Sequence, residues 1–353
     1  MALTEVFRGN FEDITPKSNE EIMNQTRIIG GFSDGVYNRG RLKYPWAKDI
    51  FDKMRQNNWM ETEVSLQKDK EQWENNELSP EEKNCYLRAL AFASNLDGIL
   101  TDSLSDVNKK YITSSEVGLA LSRQIYEEAL HVESYSYLIE SLGLNADDVY
   151  LLYQKDKHLF YKNKKVLESI YALKDGNFDI STLEGKKQYL IACVTNLIFE
   201  GIYFFSVFLI FYNFGRQNKM PGSKEMIQFI NRDEDQHVKL FVNIINTIKE
   251  EYPEVWTVEV QETLSQNIVN AGLSELEWAK TCVGSGILGL TPELVGQYLQ
   301  FLVDIRLGSI GLLKRYNAAN PFPWLDEFTQ GNMIEQNFFE GKVREYATGT
   351  LQW

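Results

Sequence analysis

Histidine is almost absent from this chain, which has three in 353 residues: His131, His158 and His237. Cysteine is equally scarce. Cys85, Cys193 and Cys282 are odd in number, far apart in sequence and never spaced Cys-x-x-Cys, so they read as buried apolar residues of a reduced compartment. Positive charge is also short, with 36 Lys+Arg against 50 Asp+Glu and a net charge of −14. No basic stripe exists to meet phosphates, and a nucleic-acid partner is excluded. The first 39 residues mix acidic and basic side chains without an apolar core. Neither a signal peptide nor an anchor is expected there, and the protein is expected to be cytoplasmic. One apolar run, residues 198–214, approaches the ~20 residues that a membrane span needs. It carries Glu200, Ser206 and Asn213, and a helix apolar all round also suits the centre of a large soluble bundle, so no span is expected.

What the chain does have is concentrated in a repeated tetrapeptide. Two of the three histidines occupy the same place in Glu128-Ala-Leu-His131 and Glu234-Asp-Gln-His237. Residues three apart on a helix share a face, so each tetrapeptide points a carboxylate and an imidazole the same way. One such pair on a solvated helix would carry no message; two in a chain with three histidines carry one. Each also has a lone carboxylate upstream in an apolar helical run. Asp97 precedes Glu128 by 31 residues and Glu200 precedes Glu234 by 34. Four helices, two giving a carboxylate and two giving Glu-x-x-His, all projecting inward, form the constellation of di-iron and di-manganese carboxylate bundles. Oxygen-rich ligands with one imidazole per metal suit iron or manganese better than zinc.

The composition, 43% hydrophobic and 24% charged, is globular, and helical periodicity runs nearly throughout. The fold expected is all-α: a ferritin-like four-helix bundle core with additional helices and a di-metal carboxylate site inside the bundle. Residues 1–40 are polar and irregular and are expected to form an N-terminal arm, 41–318 the helical domain, and 319–353 a flexible C-terminal tail. Trp46, Trp59 and Trp73 read as buried anchors. Ser79-Pro80-Glu81-Glu82 supplies an N-cap, a proline at the first helical position and a capping-box Glu for the Asp97 helix. A second helix is expected from Thr113-Ser-Ser-Glu116 to near Gly143, with Tyr135 one turn beyond His131. An apolar helix with Glu200 is expected over 187–214, a break over 215–223, and the second histidine helix over 225–250.

These motifs together resemble the radical-generating small (β) subunit of class I ribonucleotide reductase. The resemblance runs from Tyr44 to the C-terminus. It is carried by Asn57-Asn58-Trp59, the Asp97 helix, Glu128-x-x-His131-x-x-x-Tyr135, the Glu200 helix, Arg232-Asp-Glu234-x-x-His237 and Asn337-Phe-Phe-Glu-x-x-Val-x-Glu-Tyr346. It implies that Asp97, Glu128 and His131 hold one metal ion and Glu200, Glu234 and His237 the other, with 128 and 234 bridging. It implies two ions per chain, iron first and manganese also accepted. It further implies a stored radical on Tyr135 and a relay through Trp59, Asp233 and Tyr346 to a large (α) subunit bound through the C-terminal tail. The expected assembly is a homodimer, inactive as a ribonucleoside-diphosphate reductase without that large subunit. Asp233 also suits the other N–H of a metal-bound imidazole, and Phe204, Phe208 and Ile230 are spaced to wall off the radical. A di-metal oxidase would have no use for Tyr346, and an iron-storage bundle would need neither Tyr135 nor a tail.

Overall fold

The computed structural model describes Glu12 and residues 15–175, 178–284 and 286–329. The helices run α1 (Asn19–Gln25), α2 (Pro45–Gln56), α3 (Gln67–Glu74), α4 (Pro80–Ser103), α5 (Lys109–Tyr111), α6 (Ser115–Ser141) and α7 (Ala146–Tyr150). They continue α8 (Lys157–Asp175), α9 (Leu183–Ile198), α10 (Phe204–Arg216), α11 (Pro221–Glu251), α12 (Val258–Val283), α13 (Pro292–Ser309) and α14 (Leu325–Thr329). Among the described residues no strand forms; Ile29 and Ile112 make one isolated bridge.

Local chemistry sets where the core helices begin. Ser79 and Glu82 form a complete capping box ahead of α4, with Pro80 in the first turn; such a cap contributes about 1 kcal/mol. Ser114 caps α6, which stops at Ser141 just before Gly143 takes a φ of +67°, a conformation that glycine adopts without steric cost. Asp69, reaching over from α3, caps α11. Its carboxylate accepts from the backbone N–H groups of Gly222 and Ser223, at 2.7 and 2.6 Å, at the end of the helix that favours negative charge.

The bundle is α4, α6, the α9–α10 rod and α11, with α12 and α13 packed outside and Ile28 and Ile29 of the N-terminal segment fully buried against it. Of the described part of residues 1–40, Ile28 and Ile29 reach the core while the rest is exposed or half-buried, and Ile28 N–H donates to Glu251 at 2.8 Å. The rod Leu183–Arg216 is long and apolar enough to cross a membrane by length and composition, yet 83% of its most apolar stretch is buried inside the protein. It is continuous through a five-residue π turn at Phe199–Tyr203, so the helix starts earlier than 187 and the break shrinks to 217–220. Pro221 and Ser223 belong to the first turn of α11, proline being suited to the first helical position.

The cysteines are buried as expected, and the start of the C-terminal segment shifts. Cys85 and Cys282 lie 197 residues apart in sequence but meet with their Sγ atoms 3.7 Å apart; all three cysteines are free and buried. The segment expected to be a tail from 319 starts out packed: Phe322 and Leu325 are buried, and Phe328 stacks on Tyr212 with ring centroids 5.4 Å apart. Tyr346 and the rest of residues 330–353 lie outside the described residues.

Candidate metal centre

The six side chains singled out as ligands converge at the centre of the bundle, all fully buried. Asp97 comes from α4, Glu128 and His131 from α6, Glu200 from the π turn, and Glu234 and His237 from α11. They form two groups whose donor atoms lie within 4.8 Å of one another. One contains Asp97, Glu128, His131 and Glu234; the other Glu128, Glu200, Glu234 and His237. Glu128 and Glu234 belong to both. Both imidazoles turn Nδ1 inward: His131 Nδ1 lies 3.2 Å from Glu234 Oε1, and His237 Nδ1 lies 2.8 Å from Glu234 Oε2 and 3.1 Å from Glu128 Oε1.

The donor atoms themselves test whether metal ions fit. Both oxygens of Asp97, one each of Glu128, Glu200 and Glu234, and His131 Nδ1 are buried with no hydrogen-bond partner. Buried polar atoms in native proteins are nearly always paired, and so many bare donors pointing at one another fit cations held between them. Electrostatics agree. Burial first, then the charge of Glu128, pushes the carboxyls of Asp97 and Glu200 well above their ordinary range. Burial acts the same way on Glu234, but the charges of His237 and His131 override it and hold that carboxyl low. The imidazoles show the converse: burial disfavours their protonation and the surrounding carboxylates outweigh it. Four carboxylates in an apolar core need compensating positive charge. The hard oxygen set with two nitrogens suits a pair of divalent ions.

Outside the donors lies a crossed pattern. Nε2 of His131, on α6, lies 3.4 Å from Asp233 on α11, and Nε2 of His237, on α11, lies 3.0 Å from Glu127 on α6. Each tetrapeptide is thus preceded by an acid that serves the other's histidine, orienting the ring so that Nδ1 faces the centre. Asp233 accepts from Trp59 Nε1 at 2.7 Å, and Glu127 from Arg123 Nε at 2.9 Å. Gln124, one turn before Glu128, donates to Glu200 at 2.7 Å. Sequence reading found Asp233 and Trp59 but missed Glu127 and Gln124. The signal for Glu127 was present, since Glu127-Glu128 matches Asp233-Glu234 position for position; nothing marked Gln124.

Tyr135 lies within the same core. Its hydroxyl is buried without a hydrogen-bond partner, and burial, then the negative charge of Asp97, pushes its ionisation well above the ordinary phenol range. Phe204, Phe208 and Ile230 are likewise sealed from solvent, the two rings stacked 5.8 Å apart.

A bundle of this connectivity with paired carboxylate-histidine groups at its centre defines a ferritin-like di-metal carboxylate protein. The comparisons narrow the class. The sequence profile of the family "Ribonucleotide reductase, small chain" matches residues 37–321, and the chain belongs to that family. It is 39% identical over 314 residues to ribonucleoside-diphosphate reductase subunit beta of Chlamydia pneumoniae, covering 88% of this chain and 90% of that one. It is 32% identical over 331 residues to the protein of the same name from Treponema pallidum, covering 92% of each. Among solved structures it superposes on the ribonucleotide reductase R2 subunit from Clostridium botulinum with a TM-score of 0.80 and 32% identity, covering 86% of this chain and 94% of that one.

Proposed function

We propose that the chain is the radical-supplying small subunit of a ribonucleoside-diphosphate reductase, working with a large subunit that reduces ribonucleotides to deoxyribonucleotides. The observation that carries this reading is a fully buried Tyr135, whose phenol feels the charges of Asp97, Glu234 and Glu128, beside two ligand groups that share Glu128 and Glu234. Asp97, Glu128 and His131 would hold one metal ion, and Glu200, Glu234 and His237 the other. Iron is the first choice and manganese is accepted by the same donors. When bound and reduced, the metal pair supplies, with O2, the oxidising equivalent.

The protein's own groups do the rest. Tyr135 gives up one electron, and the proton on its phenol oxygen leaves toward Asp97, the carboxylate whose charge acts on it most strongly. Burial denies water and reductants a route to the radical. The hydrogen-bonded line Trp59 Nε1–H, Asp233 and His131 Nε2 gives electrons a way between the centre and the outside of α6 and α11. Tyr346 continues it to the large subunit, docked through the C-terminal tail. The chain acts as a homodimer, and its buried free cysteines suit the cytoplasm.

The test is an electron paramagnetic resonance spectrum with metal analysis after iron(II)-loaded protein meets air. A tyrosyl signal with about two irons per chain is expected. Tyr135→Phe should keep the metal and lose the signal. Two bound metals with no organic radical in the wild type would turn the reading toward an oxidase.

A further inference from the structure

We propose that Arg306 is a positioning residue for the ligand Glu200, acting from α13, a helix that supplies no ligand. The inference rests on the di-metal reading above. Of the six ligands, Glu200 alone sits on π-helical backbone; the others lie in regular α-helix. A π turn aims its side chains differently from the surrounding helix and is a local departure from the preferred ladder, so its geometry needs support from outside.

Arg306 supplies that support. Its Nε donates to the carbonyl of Gly201, the residue after Glu200, at 3.0 Å. A side chain at 201 would forbid the approach, since a Cβ there would lie 2.4 Å from Nε and 2.8 Å from Cδ of Arg306. Arg306 is only 8% exposed, and among the described residues no carboxylate lies within 4.0 Å of it. Its guanidinium instead faces the Phe205 ring at 5.1 Å. Burial works against the charged guanidinium and the charge of Asp235 offsets that only in part, so the cation is costly to keep. Holding the turn that aims Glu200 is a return for that cost. Gln124 restrains the same ligand from the opposite side, at the carboxylate itself. Glu200 is thereby restrained twice, by Arg306 through the carbonyl of the next residue, Gly201, and by Gln124 at its own carboxylate.

Two substitutions break the contact in different ways: Arg306→Met removes the donor, and Gly201→Ala leaves the guanidinium but pushes it off. Metal-free wild type and both variants would be titrated with manganese(II), the free ion followed by electron paramagnetic resonance and the fold by circular dichroism. Wild type is expected to bind two ions in a coupled pair. Each variant should keep one ion at wild-type strength and hold the second about 10–100-fold more weakly, with an uncoupled manganese spectrum at two equivalents. If Arg306→Met does not fold, Gly201→Ala alone decides. Wild-type affinities and a coupled spectrum in the folded variants would overturn the proposal while leaving the di-metal reading intact. A wild type that binds fewer than two ions would bring down that reading and this one with it.

Discussion

Glu127 on α6 and His237 on α11 meet at 3.0 Å, carboxylate to Nε2, the mirror of the contact between Asp233 and His131. The crossing couples the two Glu-x-x-His helices beyond any shared metal. It also makes them unequal. Asp233 is held by an indole, which can be oxidised, whereas Glu127 is held by the Arg123 guanidinium, which cannot. Among the described residues, only the His131 side of the centre thus ends in an oxidisable ring, which is the side the proposed relay uses. Glu127→Ala should weaken metal binding about 10–100-fold, the usual cost of losing such a partner, and should leave Trp59 and Asp233 in place. Metal titration checks it, and affinity unchanged from wild type would show that Glu127 serves Arg123 rather than His237.

Sharing of ligands makes a sharper forecast. Glu128 and Glu234 each belong to both donor groups, while Asp97 belongs to one. Glu128→Ala or Glu234→Ala should lose both ions together, and Asp97→Ala should weaken one more than the other. Metal analysis after gel filtration measures this. Full occupancy in either bridging variant would contradict the shared arrangement.

A second buried charge pair lies away from the metal centre. Lys162 Nζ on α8 is 2.8 Å from Glu275 on α12 and sits 3.4 and 3.5 Å from the ring centroids of Phe92 and Trp278. Burial pushes the lysine down to about 8, against the pull of Glu275. Removing one member leaves the other charged and unpaired, which typically costs about 3–5 kcal/mol, whereas an apolar pair is often tolerated. Lys162→Met should therefore lower the melting temperature of the metal-free protein, and adding Glu275→Leu should restore much of the loss. A single variant as stable as wild type would mean the pair does not hold α8 to α12.

Much of this centre was legible in the sequence because metal ligation demands fixed residue types at helical spacing. Asp97, Glu128, His131, Glu200, Glu234 and His237 all had to face inward, and all do. The π turn under Glu200 was not legible, because the stretch reads as uninterrupted apolar helix and the extra residue has no compositional mark. Gln124 and Arg306 were hidden for another reason. A hydrogen bond across 76 or 105 residues leaves no local periodicity. Lys162 lies in a stretch rich in Lys and Tyr with nothing in the sequence to single it out, and only the fold reveals it as buried. The start of the C-terminal segment was hard to read because the aromatic residues of 320–328 pack on one another and on scattered partners, Phe322 on Tyr298 of α13 and Phe328 on Tyr212 of α10, rather than as a periodic face.

That boundary shapes the last prediction. Phe328 stacks on Tyr212 of α10, and its carbonyl accepts from Gln228 Nε2 of α11 at 3.2 Å. A cut before residue 320 would therefore strip packing from α10 and from α11, the helix that supplies Glu234 and His237. A cut after Thr329 keeps those contacts and removes only residues 330–353, with Tyr346 and the terminal Leu351-Gln-Trp353. Apolar groups at a chain end suit a groove on a partner. The shortened protein should form the Tyr135 radical at wild-type yield, yet neither bind the large subunit nor support nucleotide reduction. Tyr346→Phe separates the two tail functions, because phenylalanine packs like tyrosine but is far harder to oxidise. It should bind the large subunit normally and fail to support turnover. Binding titrations beside deoxynucleotide assays with the large subunit read both. Full turnover in Tyr346→Phe would remove that residue from the relay, and full turnover in the shortened chain would place the docking surface on the bundle itself.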